Sequence, residues 1–230
     1  MFTRAMFQKA WLLAVLPIFF FISSVTVSAQ DVTSKSYIVN TEDSYIHIYT
    51  GVAGLGRALA HSHLIAIRDI NGEAHLGEEM ARASLAFSPS NFLVDDDSER
   101  AKAADDSFRE PVSENIKIGT KKNMLSELVL DADSHPEIIL KISTPRSEVD
   151  EAQTFGRNTA FIVEINFKGV PYTMALPAQL EISETSITAS GDFSLDHSDI
   201  GLKPFSAAGG LARVAESLRF EFEIVASLIL

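Results

Sequence analysis

The sequence predicts a mainly β protein: an antiparallel β-barrel with a helical insertion near the middle of the chain. Three observations carry this. Apolar residues alternate with polar ones in run after run, the pattern of strands with one dry and one wet face. Gly, Asn, Asp and Pro separate the runs, as turns between antiparallel neighbours require. The alternation lapses around residues 97–129, where helix formers collect.

Residues 1–29 read as a cleavable secretory signal. Arg4 and Lys9 precede an apolar stretch from Trp11 to Ile22, and Val27-Ser28-Ala29 supplies a small-residue cleavage site. The longer stretch from Trp11 to Val27 is short for a membrane span, is broken by Pro17 and contains Ser23, Ser24 and Thr26. No stable span is therefore expected once the signal is cut. Residues 30–230 form one barrel domain in this reading, exported to a bacterial periplasm or secreted. Cys is absent, so no disulfide framework or lipid-modified Cys exists.

The alternation then runs along the chain. Tyr45, His47 and Tyr49 oppose Ile46 and Ile48, and "AHSHLIAIRDINGEAHL" follows with His61 and His63 two apart. Ala83, Leu85 and Phe87 share a face. "DSERAKAADDSF" (97–108) reads as helix after the cap residues Asp97 and Ser98. Pro111 suits the first turn of a second helix, with Val112, Ile116, Met124, Leu125, Leu128 and Val129 as its stripe, weakened by Gly119 and Thr120. His135-Pro136 ends it and "EIILKIST" returns to strand. "FIVEINF" places Phe161, Val163, Ile165 and Phe167 on one side. "SITASGDFSL" does the same for Ile187, Ala189, Gly191, Phe193 and Leu195. In "LRFEFEIVA", Leu218, Phe220, Phe222 and Ile224 oppose Arg219, Glu221 and Glu223.

An eight-stranded barrel has room for a packed core or one slender ligand. An outer-membrane barrel would need aromatic girdles and an apolar exterior. Here the single Trp lies in the signal, Tyr is scarce and a helix interrupts the strands, so the soluble barrel is the reading. Loss of Arg4 and Lys9 takes the net charge from −12 to −14, since residues 1–29 contain no acid. That charge repels nucleic acid and anionic membrane surfaces alike, so no nucleic-acid partner is expected.

Two polar clusters compete for a role. His61 and His63 lie on one face if both belong to a strand, where they line the barrel mouth as polar groups or, with His47, His75 or His197 as a third ligand, hold a metal. "SLDHSDIGL" (194–202) brings Asp196, His197, Ser198 and Asp199 together. A catalytic triad is assembled from separate segments, so this stretch reads as a turn and no catalysis is expected. The apolar candidates for the lumen are Phe161, Val163, Ile165, Phe193, Leu195, Phe220, Phe222 and Ile224.

Four stretches in order carry a family likeness: "SYIVNTEDSYIHIYT"; "AHSHLIAIRDINGEAHL" with Ile70-Asn71-Gly72 in place of an F-x-G turn; "MLSELVLDADSHPEIILKI"; and "FKGVPYTMALPAQLEI" followed by "GDFSLDHSDIGL…VAESLRFEFEIVA". From about Ser36 to Ala226 the chain resembles the YceI-like proteins, exported bacterial proteins with an extended lipocalin-like barrel, some of which bind polyisoprenoid lipids. The insertion around 97–123 is longer and more polar than the family pattern, and "KIGTKKNML" stands where R-D-x-H-L is usual. The resemblance implies a lipid-binding protein that carries or sequesters an isoprenoid or similar amphipathic lipid in its lumen, without catalysis and without a cofactor. His61 and His63 would then meet the head group, and the eight apolar residues the tail. The alternative is a periplasmic metal-binding or redox-related protein using His61 and His63. A homodimer is compatible with either.

Overall fold

The computed structural model describes residues 34–54, 61–207, 209 and 212–229; the expected signal peptide lies outside them. In chain order the strands are β1 (Lys35–Val39), β2 (Tyr45–Ala53), β3 (His63–Ile67), β4 (Asn71–Leu76), β5 (Met80–Phe87) and β6 (Leu93–Val94). They continue with β7 (Ile138–Pro145), β8 (Thr159–Phe167), β9 (Val170–Ile182), β10 (Ser186–Asp196), β11 (Ser206–Ala207) and β12 (Ala212–Leu228). The helices are α1 (Asp97–Arg100), α2 (Glu114–Leu125) and α3 (Arg146–Phe155).

Eight strands close into a ring in the order β1-β4-β5-β7-β8-β9-β10-β12. The closing pair sets Tyr37, Ile38 and Val39 of β1 against Leu228, Ser227 and Ala226 of β12. All neighbours are antiparallel, as short connections demand. This is the expected barrel. The long β12 continues past β1 and pairs next with β2, which carries β3 and then β6 as a flange beside the ring. A register shift between Val214 and Leu218 bends β12 along that edge.

The period-2 rule decides which side chains enter the barrel. Leu85 and Phe87, Val163 and Phe167, and Leu218 and Ala226 are buried, while Glu164, between Val163 and Ile165, is exposed. One core group joins Ile65, Ile67, Ile70, Leu85, Phe87 and Phe92 with Ile138 and Phe167. A second, of Tyr37, Leu76, Ala81, Val149, Ile187 and Ala226, sits where α3 meets the ring. Gly72, the glycine of the Ile70-Asn71-Gly72 turn, lies within β4. A Cβ there would stand 2.5 Å from the Ser84 carbonyl oxygen and 2.7 Å from Leu85 Cδ2, so only glycine lets β4 and β5 approach this closely.

The helical insertion is shorter in helix than its composition suggests. α1 stops after Arg100, and residues 106–108 form only a separate 3-10 turn: Asp96 caps the first by accepting from the Ser98 and Glu99 N–H groups, and Asp105 caps the second by accepting from the Ser107 N–H. The second helix begins at Glu114 after the N-cap Ser113, not at Pro111, and ends at Leu125 where Ser126 turns extended. Leu128 and Val129 thus leave the predicted stripe for the following turn. α3 goes unread in the sequence, although its signals are local. Pro145 precedes it, Gly156 ends it at φ +62°, and Val149 and Ala152 bury one face at i, i+3 spacing.

Candidate functional site

The barrel is hollow. A cavity of about 360 Å³ runs through it, far more than the water-sized voids of a packed core and within the range of small-molecule sites. Every ring strand contributes to the wall through alternate residues, among them Val39, Ala74, Leu85, Ile142, Met174 and Ala189. Phe161, Val163, Ile165, Phe193, Leu195, Phe220, Phe222 and Ile224 all line it. Phe193 pairs directly with Phe220 and Gly191 with Phe222 across β10 and β12. The Phe193 and Phe220 rings stack at 5.1 Å, with Phe222 edge-on to Phe193 at 6.1 Å. Gly191 makes this possible, since a Cβ there would come within 2.7 Å of the Phe222 ring.

α3 contributes Val149 to the wall, beside the buried group that contains Tyr37. Elsewhere the covering segment is α2 with its exit turn, which supplies Met124, Val129 and Leu130. The charged residues of β12 face out: Arg219 pairs with Asp192 and Glu221, and Tyr49 donates to Glu221 at 2.9 Å. An apolar inside and a charged outside reverse the arrangement of an outer-membrane barrel. Among the described residues, no helix is long and apolar enough to cross a membrane.

The histidine expectations need correction. β3 begins at His63, so His61 precedes the strand and is exposed, and neither residue belongs to the cavity wall. His63 turns instead to Asp95, donating from Nδ1 at 2.6 Å, with the Thr120 hydroxyl 3.5 Å from Nε2. The metal alternative fares no better, because the chain distributes its histidines. His47 bonds Glu99 at 2.9 Å, His75 meets the Ser36 hydroxyl at 3.2 Å, and His197 donates to the Glu216 carbonyl at 2.7 Å. Among the described residues, no group of three His, Asp or Glu side chains is placed to hold a metal ion. His197 does reach the cavity wall, from the 3-10 turn His197–Ile200 that Asp196 and Asp199 cap reciprocally. That stretch is a turn, as its composition indicates.

Sequence reasoning missed a buried charge cluster between the flange and the helical insertion. Asp95 is fully buried. It accepts from Arg100 at 2.5 Å, from His63 at 2.6 Å and from the Leu64 N–H at 2.9 Å. Burial pushes its carboxyl up, but the hydrogen bonds of His63 and Leu64 and the charge of Arg100 outweigh that and hold it below the usual carboxylate range. Nearby, Glu99 bonds His47 while Lys102 and Arg68 approach its other oxygen. The run "DDDSER" signals a helix cap, yet nothing local in it reveals burial under a covering segment.

His47 supplies a pH test of this face. Burial pushes its imidazole pKa down, against the opposing pull of Glu99. A depressed folded value means that the unfolded chain takes up the proton first. His47 therefore contributes its full share of stability above the ordinary histidine pKa of about 6.5 and loses it as pH falls through the folded value. The expected result is a urea midpoint that drops between pH 7.5 and pH 5, with a shallower drop in His47→Gln. Equal slopes for the two proteins would refute the assignment.

No family model matches the sequence, and no curated protein matches it. Solved structures do share the fold. BcnA from Burkholderia cenocepacia is 11% identical with a TM-score of 0.54, covering 81% of this chain and 98% of that one. A polyisoprenoid-binding domain from Saccharophagus degradans, implicated in plant cell wall breakdown, is 8% identical with a TM-score of 0.52, over 85% and 99% of the two chains. The likeness is one of fold, and it agrees with the barrel architecture that the resemblance to YceI-like proteins leads one to expect.

Proposed function

We propose that this chain is an exported, YceI-like lipid-binding protein that holds an isoprenoid or similar amphipathic lipid in its barrel and carries or sequesters it unchanged. The observation that supports this best is the hollow apolar lumen of about 360 Å³. Leaving such a wall wet wastes the hydrophobic effect, and an alkyl or prenyl tail regains about 0.8 kcal/mol for each methylene it buries. The fold shared with a polyisoprenoid-binding domain favours the isoprenoid class. Export rests on the basic-apolar-small order of residues 1–29.

Native mass spectrometry tests the reading. The protein is expressed with its leader and purified without detergent or chelator. A mass excess of several hundred daltons that extracts into organic solvent is expected. A bare polypeptide mass, together with failure to take up added polyprenyl alcohol, would overturn it. A one-metal excess lost with chelator would instead favour the histidine alternative.

A further inference from the structure

The cavity is covered at one place by α2 and its exit turn, which expose Ile118 and Leu128 among polar residues. α2 is twelve residues long and buries none of them. It is tied to the rest of the fold by Lys117, which bonds Asp97 at 2.8 Å, by the long contact of Thr120 with His63, and by Met124, which packs on the core from the last turn. Its exit turn is tied down by Lys168, whose ammonium donates to the Glu127 carbonyl at 2.6 Å. Lys168 sits at φ +52° in the tight turn between β8 and β9, so this bond brings the α2 exit turn against the tip of that hairpin.

Around this contact lie apolar side chains that water should not see. Leu128, next to Glu127, is 78% exposed, and Val170, two residues past Lys168, is 48% exposed. Ile139 is 40% exposed and shares a cleft with Leu130, Phe167 and Lys168. Ile118 on α2 is 65% exposed and shares a helix face with Lys121 and Lys122, three and four residues on. The same stretch points inward as well: Met124, Val129 and Leu130 line the cavity, as do Ile138 and Phe167 beside it. One thin layer of chain therefore separates the lumen from an exposed apolar rim.

We propose that this rim, formed by α2, its exit turn and the β8–β9 turn, docks on a zwitterionic lipid bilayer and that the lumen exchanges its lipid there by displacement of the α2 segment. The proposal rests on the lipid-carrier reading. Charge selects the kind of bilayer. Without its leader the chain carries −14 overall and an anionic surface repels it, whereas the rim mixes Lys121, Lys122 and Lys168 with Glu127 and Glu137, both signs that zwitterionic head groups present in turn. Long lysine stems reach phosphates while Ile118 and Leu128 enter the interface.

Vesicle sedimentation tests this, using purified protein with vesicles of phosphatidylcholine and phosphatidylethanolamine, and the same vesicles with a quarter phosphatidylglycerol. The wild type is expected to sediment with the zwitterionic vesicles. The double variant Ile118→Asp/Leu128→Asp should lose at least about tenfold in partition, the effect of little more than 1.4 kcal/mol. Both side chains are exposed, so its thermal midpoint should match the wild type. Its lipid content after extraction is measured on the same preparation. Loss of docking with retained lipid supports the rim. Wild type that carries lipid yet fails to sediment, a double variant that sediments normally, or stronger binding to the anionic vesicles overturns the proposal and leaves the carrier reading standing. Absence of lipid in the wild type itself would strike the carrier reading instead.

Discussion

Asp95→Ala is expected to destabilise the fold by about 3–5 kcal/mol, the range for breaking a buried ion pair by removing one partner. The size follows from what the carboxylate leaves behind. Arg100 is 3% exposed and would keep its charge without its closest counterion. The Leu64 N–H, on a fully buried residue, would lose its acceptor, and His63 would lose its strand-to-insertion bond. Alanine also fits the φ of +52° at this position poorly, a conformation that Asp and Asn tolerate better. Arg100 further donates to the Ser62 and Glu110 carbonyls, so the cluster fastens the insertion to β3.

Urea denaturation of three variants separates these causes. Asp95→Asn keeps an acceptor for Leu64 and the backbone preference, and should lose less than Asp95→Ala. Adding Arg100→Met to Asp95→Ala should recover part of the loss, since the stranded charge is then gone. Asp95 has a depressed pKa, so its contribution is present above the ordinary aspartate value near 4 and lost as pH falls through the folded value. The wild-type and Asp95→Asn curves should accordingly converge in strong acid. A loss below about 1 kcal/mol for Asp95→Ala would place the cluster among surface ion pairs and remove its structural role.

The second large effect concerns the lumen. Ala189→Trp is expected to abolish lipid retention, lowering bound lipid per chain at least about tenfold. Ala189 lines the cavity on β10, next in its row to Gly191 and the stacked Phe193. β5 lies four places from β10 in the ring of eight, so Ala83 belongs to the opposite wall, and Ala83→Trp should block from that side. Overpacking a filled core typically costs about 1–3 kcal/mol. With about 360 Å³ of space available, the indole has somewhere to go, and stability should change little. Lipid extraction and a thermal melt on one preparation read both quantities. Full lipid occupancy in both variants would move the ligand out of the barrel.

Parts of this architecture were legible in the residues. The faces of β8, β10 and β12 are legible because strand parity is a local property: alternate side chains point the same way whatever the partner strand. All eight apolar residues named from that rule line one cavity. The histidines were not legible in the same way. Whether His61 belongs to a strand depends on where β3 starts to pair, and His63 answers to Asp95, 32 residues along the chain. α3 was within reach, since Pro145, Gly156 and the Val149–Ala152 spacing frame it, but its role in closing the wall required the ring to be in place.

By itself, then, the sequence determined the class of fold and the inward faces of β8, β10 and β12, through periodicities that act over a few residues. Only the tertiary structure decided that the inside is a void. Emptiness is set by how eight strands stagger and how far side chains from opposite walls reach, and no residue carries that information alone. The same holds for the charge cluster under the insertion. Asp95, Glu99 and Arg100 look like a solvated helix start until the flange and the covering segment remove water from them.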